Sequence, residues 1–479
     1  MNYEDAVRYL LSLGREMRGV KFDLENIAAL AEALGRPHRA YPSAHIAGTN
    51  GKGSVAAMLD SILRQVGLRV GLYTSPHLVR INERIRVAGE EIPDEEFALA
   101  FERVRETIER LMATGALRAH PTYFEFLTAM AFDVFARERV GFAVFEVGMG
   151  GRLDATNIVS PVVCVITQID FDHEAYLGHS IEQIAGEKAG IVKAGVPVVC
   201  ATGREEATRV IEARAARVGA PVIDVEREYQ VSKASAEHGR YRFEVRARDG
   251  FAARWSLGLA GRFQVQNALL AAAAARLLAQ QGVPVTDAHI AQGLACVRWP
   301  GRLERLEWPR AGEPESGEGE KADSSAAADS GQARPPVYLD GAHNPAGARE
   351  VAAFWREQLG RKKIHLVYGA MQDKAVEEIM ELLLPLAATV TLTAPSQPRA
   401  ASAEALAAMA RHFNGRVFVE PQPLKALDRA RALASPEDVV FVTGSLYLVG
   451  DIRRHWMEAG GLAQTEARRG GARRRTGNT

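Results

Sequence analysis

Short apolar runs alternate with longer amphipathic stretches through the first half of the chain. SAHIAGT (43–49), LRVGLYTS (68–75), GFAVFEVG (141–148), VVCVITQI (162–169) and VPVVCAT (196–202) are nearly continuous in apolar residues, and a longer helix-like segment follows each. Near-continuous apolar strands alternating with helices predict a parallel sheet covered on both faces. The pattern changes at residues 225–258, where EYQVSKASAEHGRYRFEVRA and AARWSLGLA predict antiparallel strands, and GRFQVQNALLAAAAARLLAQQ (261–281) predicts a long helix. Alternation resumes at PVYLDGAHN, KIHLVYGA, TVTLTA, RVFVE and DVVFVTGS, which predicts a second, smaller α/β domain.

With 479 residues, the chain is too long for one compact core. The boundary is placed at Trp299-Pro300-Gly301, giving a first domain at 1–298 and a second at 299–465. A segment at 309–336, rich in Gly, Glu, Ser and Ala, cannot bury enough apolar surface to order itself and is expected to be a disordered insertion in a loop. Residues 466–479 are expected to be a basic, disordered tail. Apolar content of 47% and charged content of 25% are ordinary for a globular protein. A formal net charge of zero argues against a protein built to hold nucleic acid or an anionic membrane. Cys164, Cys200 and Cys296 are far apart, and the N-terminus has neither a basic start nor an apolar run of signal length. A reducing cytosol, where ATP is available, is the expected compartment.

Gly48-Thr49-Asn50-Gly51-Lys52-Gly53-Ser54 follows an apolar strand and opens a helix pattern. Glycines let backbone N–H groups face phosphate oxygens, and the helix N-terminus adds partial positive charge. Lys52 is long enough to reach the outer phosphates, while Ser54 caps the helix or approaches a metal. The spelling departs from GxxxxGK[ST], since Gly53 separates Lys52 from Ser54.

Glu146 ends one apolar run, and His173 lies just past another, in DFDHEAYLG. Strand C-termini face the ligand crevice of an open α/β sheet. Taken singly, Glu146 reads either as a helix-capping or salt-bridging carboxylate or as a Mg²⁺ ligand, and His173 as a structural residue or a ligand. Two such groups beside one phosphate loop favour a site. Lys188, in GEKAG, reads either as a surface charge or as a lysine that carries CO₂ as a carbamate. Residue chemistry leaves both open.

GTNGKGS, YTSPHL, TYFEFLTAMAF, EVGMGGRLDATN, DHEAYLG, EKAGIVK, WPGRLE and LDGAHNP occur in this order. Together they resemble the folylpolyglutamate synthase / dihydrofolate synthase family, a branch of the Mur-ligase-like amide synthetases. The resemblance implies a P-loop-type parallel-sheet ATPase domain and a smaller Rossmann-like α/β domain that binds glutamate. It also implies ATP-dependent addition of L-glutamate to a folate, and to dihydropteroate, through an acyl phosphate. Residues 48–54 (Gly48, Thr49, Asn50, Gly51, Lys52, Gly53, Ser54) would hold the ATP phosphates, with Asn267, Arg302, Asp340 and His343 as further nucleotide contacts. Ser75 and Glu146 would bind one Mg²⁺, His173 and Glu146 would serve a second, and Lys188 would be carbamylated. Lys52, Glu146, His173 and Lys188 would carry the chemistry. Thr122, Tyr123, Phe124 and Glu125 would line the pteroate site with Leu153, Asp154 and Ala155, and Phe22 and Asp23 would complete it. A monomer acting on small molecules, without nucleic acid or membrane, is implied. The 309–336 insertion departs from the family pattern without altering a motif.

Overall fold

The computed structural model describes residues 1–13, 23–308 and 334–460. Phe22, the basic tail, and the expected insertion apart from residues 334–336 lie outside the described residues. The chain forms two compact units, Met1–Trp299 and Pro300–Thr479.

In the first unit the strands are β1 (Ser43–Ala47), β2 (Val70–Tyr73), β3 (Ile85–Val87), β4 (Glu90–Glu91), β5 (Phe142–Glu146), β6 (Val163–Ile166), β7 (Val198–Cys200), β8 (Val222–Asp224), β9 (Tyr229–Glu237), β10 (Arg240–Ala247) and β11 (Ala252–Ala260). The first eight make one sheet in the order β4-β3-β2-β5-β1-β6-β7-β8. β2, β5, β1, β6, β7 and β8 run parallel. The β3–β4 edge is antiparallel to its neighbours, an addition that the apolar pattern missed because Ile-Arg-Val and Glu-Glu make no continuous apolar run.

The reason for the continuous apolar runs is visible in β5. Phe142 and Val144 join one core with the helices Lys52–Gln65, Phe263–Gln280 and Asp287–Cys296, whereas Ala143 and Phe145 join another with Tyr3–Leu13, Asp94–Ala113 and Tyr123–Arg137. Side chains alternate across a strand, so a strand covered on both sides must be apolar at every position. A third core packs Cys164 and Ile166 of β6 against the helices Ile181–Ala189 and Glu205–Arg217. β9–β11 form the expected antiparallel sheet, with Trp255 of β11 and Phe243 of β10 meeting edge to face at 5.9 Å.

The second unit has β12 (Glu304–Leu306), β13 (Val337–Leu339), β14 (Ile364–Tyr368), β15 (Thr389–Leu392), β16 (Val417–Val419) and β17 (Val439–Thr443). Their order is β12-β13-β17-β14-β15-β16, parallel except for β12. Among the described residues, no helix is long and apolar enough to cross a membrane.

Candidate active site

Four adjacent parallel strands, β2, β5, β1 and β6, deliver Ser75, Glu146, the 48–54 loop and His173 to one edge of the sheet. Ile46 is opposite Glu146 in the β1–β5 register, and Val147 N–H donates to Ile46 O at 2.9 Å. The loop is shaped by its strand neighbour β6. Thr49 N–H donates to Gln168 O at 2.7 Å, Thr49 Oγ1 donates to Asp170 O at 3.0 Å, and Thr167 Oγ1 donates to Asn50 O at 2.7 Å. Gly48 has φ +150°, and a Cβ there would sit 1.8 Å from Thr167 Oγ1, so the motif's first glycine is a steric requirement.

The loop runs into the helix Lys52–Gln65. Lys52 Nζ donates to Gly48 O and Thr49 O at 3.0 and 2.9 Å, so its ammonium is folded over its own loop. Ser54 is buried and accepts from Gln264 Nε2 at 3.2 Å; Gln264 in turn accepts from Asn267 Nδ2 at 2.9 Å. This chain brings Asn267, more than 200 residues downstream, to the loop.

Lys188 is buried and donates to the same Gly48 carbonyl, at 2.9 Å. Two ammonium groups on one carbonyl repel, and burial removes the water that would screen them. Burial first, then Lys52, pulls the Lys188 pKa down to about 7, with Asp172 opposing. The free amine is therefore favoured relative to an exposed lysine. Glu146 is buried, and its Oε2 accepts Ser75 N–H at 3.0 Å. His173 takes a left-handed backbone at φ 53° and its imidazole is 39% exposed.

The residues carried over to the pteroate site divide into two kinds. Thr122 and Glu125 form a capping box on the helix Tyr123–Arg137: Glu125 N–H donates to Thr122 Oγ1 at 3.2 Å and Thr122 N–H to Glu125 Oε2 at 2.8 Å. Burial pushes the Glu125 carboxyl up. Asp154 is also buried, and it accepts from the backbone of Gly148, Met149 and Thr156. The polar atoms of these three residues organise the backbone. Tyr123, Phe124 and Leu153 are half-buried and supply surface, whereas Ala155 is buried in the core beneath them. The Arg84 guanidinium lies over the Tyr123 ring at 5.4 Å, and Phe124 meets Tyr73 at 6.0 Å. Asp23 lies just ahead of the helix Glu25–Ala33 and accepts Glu25 N–H at 3.0 Å. The 148–156 loop rests on the helix that bears Lys188. Arg152 N–H donates to Glu187 O at 2.8 Å, and a Cβ on Gly151 would come within 2.9 Å of that oxygen.

In the second unit, Asp340 is buried and accepts Leu303 N–H at 2.9 Å and Ala342 N–H at 2.8 Å. Burial pushes its carboxyl up and the Arg302 guanidinium opposes this. His343 Nδ1 donates to Gly341 O at 2.8 Å, which fixes the ring at the head of the helix Pro345–Phe354.

Two family models match. The Mur ligase middle domain spans residues 46–275, and the Mur ligase glutamate ligase domain spans 330–446. The dihydrofolate synthase/folylpolyglutamate synthase of Bacillus subtilis is 34% identical over 455 residues, covering 94% of this chain and 98% of the relative. The chain belongs to the folylpolyglutamate synthase/dihydrofolate synthase family. Among solved structures of the family, Mycobacterium tuberculosis folylpolyglutamate synthase complexed with ADP and AMPPCP superposes with a TM-score of 0.82 at 33% identity, covering 95% of this chain and 99% of that one. An FPGS–AMPPCP–folate complex superposes at 0.78 and 32%, with 95% and 99% covered.

The donor set in the first unit suits a hard divalent cation. Among the described residues, no three His, Cys, Asp or Glu side chains converge into a cage. Mg²⁺ does not need one, because it is held by one or two carboxylates together with substrate phosphates. One buried carboxylate beside a phosphate loop meets that requirement. Thr167, Asp170 and Gln264 also touch the phosphate loop, through contacts that span more than 100 residues and that no local pattern marks. Asp172, which opens DHEAYLG, acts instead on the charge of Lys188.

Proposed function

We propose that this chain transfers the γ-phosphoryl group of ATP to a carboxylate of a folate, or of dihydropteroate, and then joins the acyl phosphate to the α-amine of L-glutamate, releasing ADP and phosphate. The observation that carries the reading is the convergence of the phosphate loop, Glu146, Lys52 and Lys188 at the end of four adjacent strands.

A carboxylate is a poor electrophile, and phosphorylation gives it a leaving group. Lys52 exchanges its loop carbonyls for phosphoryl oxygens and neutralises the charge that develops on them. The backbone N–H groups at the helix N-terminus hold the phosphates, and Asn267, close enough that a Cβ on Gly51 would meet its Oδ1 at 2.5 Å, binds the nucleotide beside them. Mg²⁺ held by Ser75 and Glu146, with a second ion served by His173 and Glu146, would supply Lewis-acid stabilisation at the same oxygens. The Lys188 amine adds to CO₂, forming an N–C bond and losing a proton, and the resulting carbamate replaces a buried cation with an anion beside Lys52. Tyr123, Phe124 and Leu153 bind the folate over the buried Ala155. Arg302, Asp340 and His343 of the second unit serve the nucleotide. All the assigned residues lie on one chain, which is read as a cytoplasmic monomer; static light scattering that gives the mass of two or more chains would contradict this.

The substrate class is tested by ATP-derived phosphate release with dihydropteroate, tetrahydrofolate or a UDP-muramyl peptide, each with L-glutamate. Release is expected with the first two. Release with the muramyl peptide alone would overturn the folate reading. For Lys188, the Lys188→Ala variant is expected to lose about a hundredfold in turnover and to regain part of it with added formate or acetate. Full activity of the unsupplemented variant excludes the carbamate.

A further inference from the structure

His45 lies in β1, three residues ahead of the phosphate loop, fully buried and unused by the steps above. Its Nε2 is 2.8 Å from Thr156 Oγ1. Thr156 Oγ1 is in turn 2.5 Å from Asp154 Oδ1. The Asp154 carboxylate takes the N–H groups of Gly148 and Met149 on Oδ2, at 2.9 and 3.0 Å, and that of Thr156 on Oδ1, at 3.0 Å. A carboxylate held by three N–H donors acts as an acceptor, so the single Thr156 hydroxyl proton goes to it. His45 must therefore donate from Nε2. Burial, with Lys193 adding to it, drives the His45 pKa down to about 3, so the ring is neutral and its one proton sits on Nε2. Nδ1 is left buried without a hydrogen-bond partner among the described residues. An apolar side chain of similar size would fill this strand position without that cost, so the donor nitrogen is what the position requires.

We propose that His45 is a positioning residue for folate binding. Through Thr156 it holds Asp154 in the orientation that fixes the backbone at Gly148 and Met149, and so sets Leu153 against the bound folate. The inference rests on the reading that Leu153 contacts folate. It assigns to β1 a second task beside carrying the phosphate loop.

The test is steady-state kinetics with tetrahydrofolate as the variable substrate, then with ATP. Thr156→Val, which removes both bonds of the relay, and His45→Ala, which removes the first, each release Asp154 from His45 and are each expected to raise the KM for tetrahydrofolate about tenfold. The KM for ATP should stay within about twofold. Thr156→Ser keeps the hydroxyl and should behave like the parent enzyme. Because both residues act in one chain, the double variant should be no worse than Thr156→Val alone. Equal rises in both KM values, additive effects, or a Thr156→Ser variant as impaired as Thr156→Val would overturn the proposal. If His45→Ala does not fold, the Thr156→Val and Thr156→Ser pair reads the same link. Leu153→Ala, at a half-buried position, separates the two failures. Unchanged folate KM in Leu153→Ala removes the folate-site reading itself, whereas a raised KM there with a normal Thr156→Val removes only the role of His45.

Discussion

Lys52→Ala lowers the turnover number for folate glutamylation by about a thousandfold, the upper range for removing one preorganised group that meets transition-state charge. The protein still folds. Lys52 Nζ donates to the carbonyls of Gly48 and Thr49, both in its own loop, and the loop has independent anchors in Thr49–Asp170 and Thr167–Asn50. Losing the two Lys52 bonds costs stability on the order of 1–3 kcal/mol, a fraction of what the three cores of the first unit supply. A circular dichroism melt and single-turnover phosphate release check this together. A folded variant with near-parental turnover would contradict the assignment of Lys52 to the phosphoryl group.

Gly48→Ala lowers kcat/KM for ATP by at least about a hundredfold, although the substitution adds one methyl group. The methyl would occupy a point 1.8 Å from Thr167 Oγ1, and φ +150° disfavours any side chain. Thr167 must move, which frees the Asn50 carbonyl that it holds at 2.7 Å. The Gly48 carbonyl, shared by Lys52 and Lys188 at 3.0 and 2.9 Å, shifts with it, so one methyl displaces both lysines. If the clash is the cause, Gly48→Ala with Thr167→Ala recovers part of the lost kcat/KM. No recovery would locate the defect in backbone strain alone.

The parallel, doubly covered sheet was legible because a strand covered on both faces must be apolar throughout, as β5 is; its strand order was not, since that is set by contacts between distant segments. Nor were β3, β4, β8 and β12, since each is two or three residues long and includes a charged residue, leaving no continuous apolar run. The phosphate loop was readable from its glycines and its place between strand and helix. What could not be read was where polar atoms point. Thr122, Glu125 and Asp154 resemble ligand-binding residues in sequence, yet their oxygens are occupied by backbone N–H groups. Conversely, Thr167 and Gln264 look ordinary and touch the loop only because the sheet brings distant segments together. His45 was hidden by its surroundings, one polar residue in an apolar run whose partner, Thr156, lies 111 residues away.

The central claim is that the folate carboxylate is activated as an acyl phosphate. It is tested most directly with tetrahydrofolate carrying ¹⁸O in the acceptor carboxylate, turned over with ATP and L-glutamate, and analysis of the released phosphate by mass spectrometry. The account predicts one ¹⁸O atom in each phosphate formed, because the carboxylate oxygen that attacks the γ-phosphorus leaves with it when the amine displaces it. Phosphate free of label, with the glutamylated folate still produced, would contradict the account.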